Sequence, residues 1–245
     1  MKKKILVVDL ENGQDNIFSR LEQSIMGLTK LELLSGEHDD AVQRRFRKYK
    51  RLGGEVVVLR MPALTTTAND IESKMDELYR QNGFSADVLV LDYAAKMGSI
   101  SKRENDTNRI SDVYIEISNL ALKKNIEHVW TANHVTREGA KSRMKTRYQG
   151  EDIALCIDIV RHAHAIFGIN RSVPEEEAGY FRMEVVEQRD GKSVGRAVFT
   201  VDMGTQRADE LSSQERKEYD EVFQKYIEDE DNDVKIKPKR KDDFN

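Results

Sequence analysis

Apolar residues along the chain fall into short dense runs, separated by longer stretches in which they recur every three or four positions. The runs Ile5–Asp9, Glu55–Arg60, Asp87–Asp92, His128–Ala132 and Ala165–Ile169 are rich in β-branched residues and read as strands. The near-continuous hydrophobicity of Val56-Val-Val-Leu and Val88-Leu-Val-Leu predicts burial on both faces, as in a parallel sheet. The helical period is clearest over Asp106–Lys124. There Ile110, Val113, Ile117, Leu120 and Ala121 share one face, and Arg109, Asp112, Glu116 and Lys123 lie elsewhere. Asp15–Ile25, Asp39–Leu52 and Ile71–Asn82 are further helices. Strand–helix alternation of this kind predicts a doubly wound α/β domain.

Near the end the texture changes. Phe181–Gln188 and Arg196–Val201 flank a turn containing Asp190-Gly191, which predicts an antiparallel hairpin. From Gly204 the apolar density collapses. Gln214–Glu228 has a helical pattern, and Asp229–Asn245, acidic and then lysine-rich, reads as disordered. The expected organisation is a core over 1–203 followed by a charged tail over 204–245.

Composition narrows the class. Charged residues make up 34% of the chain and the mean hydropathy is −0.67. No apolar run approaches the ~18 residues that span a bilayer, so no membrane segment is expected, and no cleavable signal is evident. The single cysteine, Cys156, cannot form an internal disulfide, which suits a reducing cytoplasm. A net charge of −4 makes no global case for nucleic acid, so any such case rests on local patches.

The candidate chemistry begins with two carboxylates at strand ends, where open α/β sheets bind their ligands. Asp92 closes Val-Leu-Val-Leu-Asp, the arrangement in which a carboxylate helps to hold Mg²⁺ beside nucleotide phosphates. Glu11 follows Ile-Leu-Val-Val-Asp-Leu and is placed to polarise a water for attack on a γ-phosphate. The bland alternative for each is a capping or solvated carboxylate. A third strand runs into Asn133-His134, polar groups able to sense a phosphate, although a lone histidine more often has a structural role. The loop that follows carries Arg137, Lys141, Arg143, Lys145 and Arg147, with Tyr148 available for stacking. Lys96, Lys102 and Arg103 follow the Asp92 strand. Two basic loops after neighbouring strand tips can track a phosphate backbone, in particular single-stranded DNA; the alternative is solvated surface. His162 and His164 near Cys156 do not form a recognised zinc site, and Trp130 is expected in the core.

These pieces stand in the order seen in DnaB-type replicative helicases, which the chain resembles over roughly residues 1–203. Ile5–Gln23 is similar to that family's strand and catalytic glutamate. Val56-Val-Val-Leu, Leu64-Thr-Thr-Thr, Ile71–Arg80 and Val88–Tyr93 resemble its strand, threonine-rich turn, helix and Asp-Tyr strand. Asp106–Asn133 resembles the long helix leading to the sensor strand, where a Gln, or in some phage ring helicases a His, takes the position of His134. Phe181–Gly191 resembles a strand whose arginine, here Arg189, acts on the neighbouring subunit's nucleotide. The resemblance implies a RecA-like ATPase core, ATP and Mg²⁺ as cofactors and a homo-hexameric ring on single-stranded DNA. It also implies a primase or helicase loader as partner and a bacterial or phage-infected host cytoplasm.

The departures are specific. No Gly-x-x-x-x-Gly-Lys-Ser/Thr occurs anywhere, although the family needs this loop to cradle the phosphates. In the family that loop immediately precedes the strand that here begins at Lys2, and its N-terminal domain has no counterpart here. Glu187 stands where the family has a lysine, with Lys192 a possible substitute in nucleotide binding. Three explanations compete: a P-loop on a partner chain, truncation, or a subunit that binds a ring or DNA without hydrolysing ATP. Retention of Glu11, Asp92, His134 and Arg189 favours the first.

Overall fold

The structure, a computed structural model, describes residues 3–101, 105–134, 157–191 and 195–223. They form two compact units. The first is built from the described residues up to His134, joined by Ile157–His162 and Met203–Arg207; the second from Ala163–Asp202 and the residues from Ala208 on.

The first unit is an α/β layer structure. Its strands β1 (Lys4–Asp9), β2 (Glu55–Arg60), β3 (Val88–Asp92) and β4 (His128–Thr131) are all parallel, in the order β2-β1-β3-β4. Helices α1 (Gln14–Met26), α2 (Lys30–Leu34) and α3 (Asp39–Arg51) lie between β1 and β2, α4 (Ala68–Asn82) between β2 and β3, and α5 (Asp106–Lys124) between β3 and β4. Parallel neighbours need such crossovers, because a tight turn cannot return the chain in the same direction. The core gathers Leu6, Val8, Leu89 and Leu91 of the sheet with Ile71 of α4 and Ile110 of α5.

Local sequence sets the helix ends. Thr67 and Asp70 form a reciprocal capping box, which starts α4 three residues ahead of the expected Ile71. The Asp70 carboxyl lies below its ordinary range because the Thr67 hydroxyl and backbone N–H both donate to it. At the other end of α5, Asn125 adopts the left-handed conformation (φ 53°) that asparagine tolerates. Lys124 then reaches Glu72 and Asp76 of α4 at 3.0 and 2.7 Å.

The second unit holds a separate sheet in the order β5-β6-β7-β8, from β5 (Ala165–Asn170), β6 (Tyr180–Gln188), β7 (Arg196–Asp202) and β8 (Arg207–Glu210). The hairpin is as its Asp-Gly signal predicts, with Tyr180 opposite Thr200 and Glu184 opposite Arg196. The expectation for the fifth strand is corrected: β5 pairs antiparallel with β6 and is no part of the parallel sheet. Its burial alternates, leaving Phe167 40% and Ile169 67% exposed, so an apolar run of six residues here has one covered face rather than two. Trp130 is corrected likewise, since it sits 53% exposed on β4, at the end of the parallel sheet's strand order. Full two-sided burial holds for the centre of β1 alone among these strands.

Buried charge anchors this second unit. Arg182 of β6 donates to both carboxylate oxygens of Glu175, at 2.8 and 3.0 Å, with each side chain 2% exposed. The Ser172 backbone N–H and the Tyr219 hydroxyl, from the helix over 213–223, also donate to Glu175. Burial pushes the Glu175 carboxyl up, but these donors and the Arg182 charge more than offset it and leave it below the usual glutamate range. Burial, and donation to Glu175, push the Tyr219 phenol well above its ordinary value.

Candidate functional site at the strand tips

Parallel strands end together, so the residues that follow β1, β3 and β4 gather at one edge of the first sheet. β1 terminates in Asp9, whose side chain is fully buried. Its Oδ1 accepts the backbone N–H groups of Glu11 (3.1 Å) and Asn12 (2.8 Å), so a local side-chain turn shapes the chain as it leaves the strand. Asn12 then donates from Nδ2 to Asp92 Oδ2 at 2.9 Å. The strand-end carboxylate Asp92 is thus tied to the turn that carries Glu11. Neither Asp9 nor Asn12 was a sequence candidate. The signal available was weak: an Asp two residues ahead of Glu11, a common spacing for a side-chain turn.

Glu11 is exposed, and Lys96 Nζ lies 3.9 Å from its Oε1. Lys96, expected to face DNA, also sits 5.6 Å above the Tyr93 ring, beside the carboxylates. Its loop is held from several directions. Leu64 N–H donates to Lys96 O at 2.6 Å and Gly98 N–H to Thr66 O at 2.8 Å. A Cβ on Gly98 would stand 2.6 Å from Leu64 O, so only glycine allows this approach. Arg109 of α5 donates to the carbonyls of Ala95 and Met97, and Glu116 accepts from Ser99 Oγ and Ile100 N–H, each at 2.9 Å. Arg109 and Glu116, which periodicity sets apart from the buried face of α5, therefore anchor the loop that follows β3.

The tip of β4 completes the edge. Thr131 Oγ1 accepts the Ala94 N–H at 2.8 Å, just beyond the Asp92–Tyr93 peptide, which is cis. His134 meets Tyr93 edge to face, with ring centroids 5.1 Å apart. Asn133 Nδ2 donates to the Tyr114 hydroxyl of α5 at 2.7 Å, which engages its amide nitrogen inside the unit.

Of the sequence candidates, Glu11, Asp92, Lys96, Asn133 and His134 thus share one sheet edge. Arg189 belongs to the second unit. It follows β6 directly, is exposed, and its backbone N–H donates to His164 O at 2.9 Å. Lys102, Arg103, Arg137, Lys141, Arg143, Lys145, Arg147 and Lys192 lie outside the described residues. Among the described residues, no group of three or more His, Cys, Asp or Glu could hold a metal ion, and no helix is long and apolar enough to cross a membrane.

No protein-family model matches the chain, and no curated protein matches it. Solved structures do. The chain is similar to a DnaB-like replicative helicase, described with its interactions with primase, at a TM-score of 0.69 and 15% identity. That match covers 86% of this chain and 51% of the other, so the chain spans about half the length of that helicase. It is also similar to the isolated ATPase domain of a second helicase, with a TM-score of 0.68 and 16% identity, over 86% of this chain and 75% of that one. At such identities the likeness is one of fold. The chain has the α/β fold of RecA-like helicase ATPase domains, with a separate antiparallel sheet.

Proposed function

We propose that the chain is part of an ATP-dependent hexameric replicative DNA helicase that translocates on single-stranded DNA. The phosphate-binding loop would be contributed from outside these 245 residues, on another polypeptide of the assembly. The observation that carries this reading is the pairing of Glu11 and Asp92 at neighbouring strand tips of a RecA-like fold, bridged through Asn12.

The residues fit a nucleotide with Mg²⁺. Asp92 is half-buried at the sheet edge where ligands bind, and one of its oxygens is already oriented by Asn12. Mg²⁺ there would neutralise charge on the β- and γ-phosphates. Glu11, exposed and held by the turn after β1, would take a proton from the attacking water. Asn133 and His134, on the tip of β4, would respond to the phosphate and pass its loss to the basic loop that follows. Arg189, at the end of β6, would act on the nucleotide of a neighbouring subunit, with Lys192 close in sequence. The cations Lys102, Arg103, Arg137, Lys141, Arg143, Lys145 and Arg147 would follow the DNA backbone. A primase or loader is the expected partner of such a ring.

One observation favours a second reading. The sequence lacks Gly-x-x-x-x-Gly-Lys-Ser/Thr, as expected of a RecA-like subunit that binds DNA or a helicase without hydrolysing ATP. Strand displacement separates the two. With a loop-bearing polypeptide, ATP and Mg²⁺ supplied, the chain should unwind a forked DNA duplex, and Asp92→Asn should abolish unwinding. Single-strand binding without unwinding would establish the second reading instead.

A further inference from the structure

Arg60, Asp9 and Asp92 are register partners across the tips of β2, β1 and β3, forming a row of one cation and two carboxylates at one level of the sheet. Asp9 is the middle member and the buried one, at 0% exposure. Its Oδ1 is used by Glu11 and Asn12, while its Oδ2 is buried and, among the described residues, has no hydrogen-bond partner. A buried carboxylate oxygen without a donor is costly and calls for an explanation. Among the described residues the cation within ion-pair range is Arg60, whose Nη1 stands 4.0 Å from Oδ2 and whose side chain is 51% exposed. The same guanidinium reaches over the far end of the turn, because a Cβ on Gly13 would lie 3.8 Å from Arg60 Nη1.

We propose that Asp9, with Arg60 as its counter-charge, is the positioning residue of this site. It fixes the backbone that carries Glu11 and, through Asn12, the orientation of Asp92. The assignment rests on the reading of Glu11 and Asp92 given above. Asp9 itself touches no reactant. It is buried beneath the turn, so its effect passes through two amides and one side-chain amide. Without it, Glu11 hangs on a free loop, and Asn12 loses the bond that aims it at Asp92. Arg60 balances two adjacent carboxylates that would otherwise repel across β1 and β3.

Amide hydrogen exchange on the full chain tests this directly. In Asp9→Ala, the amides of Glu11 and Asn12 should exchange about tenfold faster or more, the size expected for losing a carboxylate acceptor, while Leu6 and Val8 stay protected. Asp9→Asn keeps an acceptor oxygen and should remain within about threefold of the wild type. Arg60→Gln alters an exposed side chain and should speed the same two amides, by about twofold to fivefold, at an unchanged melting temperature. It carries the test if Asp9→Ala fails to fold. With the phosphate-binding loop supplied, Asp9→Ala should lower kcat about tenfold or more at unchanged nucleotide KM, with Asp9→Asn restoring most of it. Unchanged exchange at Glu11 and Asn12 in Asp9→Ala and Arg60→Gln overturns the proposal, as does loosening that spreads equally to Leu6 and Val8. A wild-type assembly that hydrolyses nothing would defeat the helicase reading, while the exchange pattern would still decide the part played by Asp9.

Discussion

Breaking one half of the buried ion pair in the second unit is expected to be far more damaging than removing both halves. Arg182 and Glu175 are each 2% exposed and share two hydrogen bonds of 2.8 and 3.0 Å, a bidentate geometry that lysine could not reproduce. In Arg182→Met the carboxylate keeps the Ser172 N–H and the Tyr219 hydroxyl but loses its charge partner. Stranding a buried charge in this way costs about 3–5 kcal/mol. Domain stability is on the order of 5–15 kcal/mol, so the substitution removes a large share of it. Replacing the pair together, as Arg182→Met with Glu175→Leu, leaves no stranded charge and should cost less than Arg182→Met alone, by about 2 kcal/mol or more. Urea denaturation of the full chain, followed by far-ultraviolet circular dichroism, supplies the three differences needed for the cycle. A cost under about 1 kcal/mol for Arg182→Met, or a double variant as unstable as the sum of the singles, would refute the reasoning. The outcome bears on function because β6, which carries Arg182, ends one residue before Arg189.

Acid should expose the same network. The Glu175 carboxyl is held below its ordinary value, so its contribution is present above the ordinary glutamate range and is lost as pH falls through the depressed value. Stability should therefore drop below about pH 4, and Glu175→Gln should flatten that limb of a stability–pH curve. Replacing Arg143, Lys145 and Arg147 with alanine should weaken single-strand binding and flatten its salt dependence, by about 0.7 in log–log slope for each phosphate no longer neutralised; an unchanged slope returns the loop to solvated surface. Arg189→Ala subunits, given the missing loop, should bind nucleotide but hydrolyse it poorly, and mixing them with Glu11→Gln subunits should restore part of the activity if Arg189 acts across an interface. Mixed assemblies no more active than either variant would leave Arg189 a hairpin residue.

The parallel sheet was legible because its strands are dense runs of Val, Leu and Ile, and α5 because nineteen residues hold one helical period between two asparagine caps. The fifth strand misled because six apolar or small residues look alike whether one face or two will be covered; pairing with the long β6 decides, and that partner is distant in sequence. Glu11 and Asp92 were readable from their places at strand ends. Asp9 and Asn12 were not, because their importance lies in bonds that exist only once β1 and β3 lie side by side. Arg109 and Glu116 passed for surface charges for a related reason: a helical wheel identifies the core-facing side but not which polar residue meets a loop.

The central claim is that Glu11 and Asp92 form a hydrolytic site that lacks only its phosphate-binding loop. Steady-state ATP hydrolysis tests it most directly, measured with single-stranded DNA on the chain alone, on the chain with a polypeptide bearing that loop and its helix, and on the same mixture with Glu11→Gln. The account predicts negligible turnover for the chain alone, because no lysine and nested amides hold the β- and γ-phosphates. It predicts turnover in the mixture, and a loss of about 10²-fold or more with Glu11→Gln. Equal turnover with Glu11 and with Gln at this position, or vigorous hydrolysis by the chain alone, would contradict it.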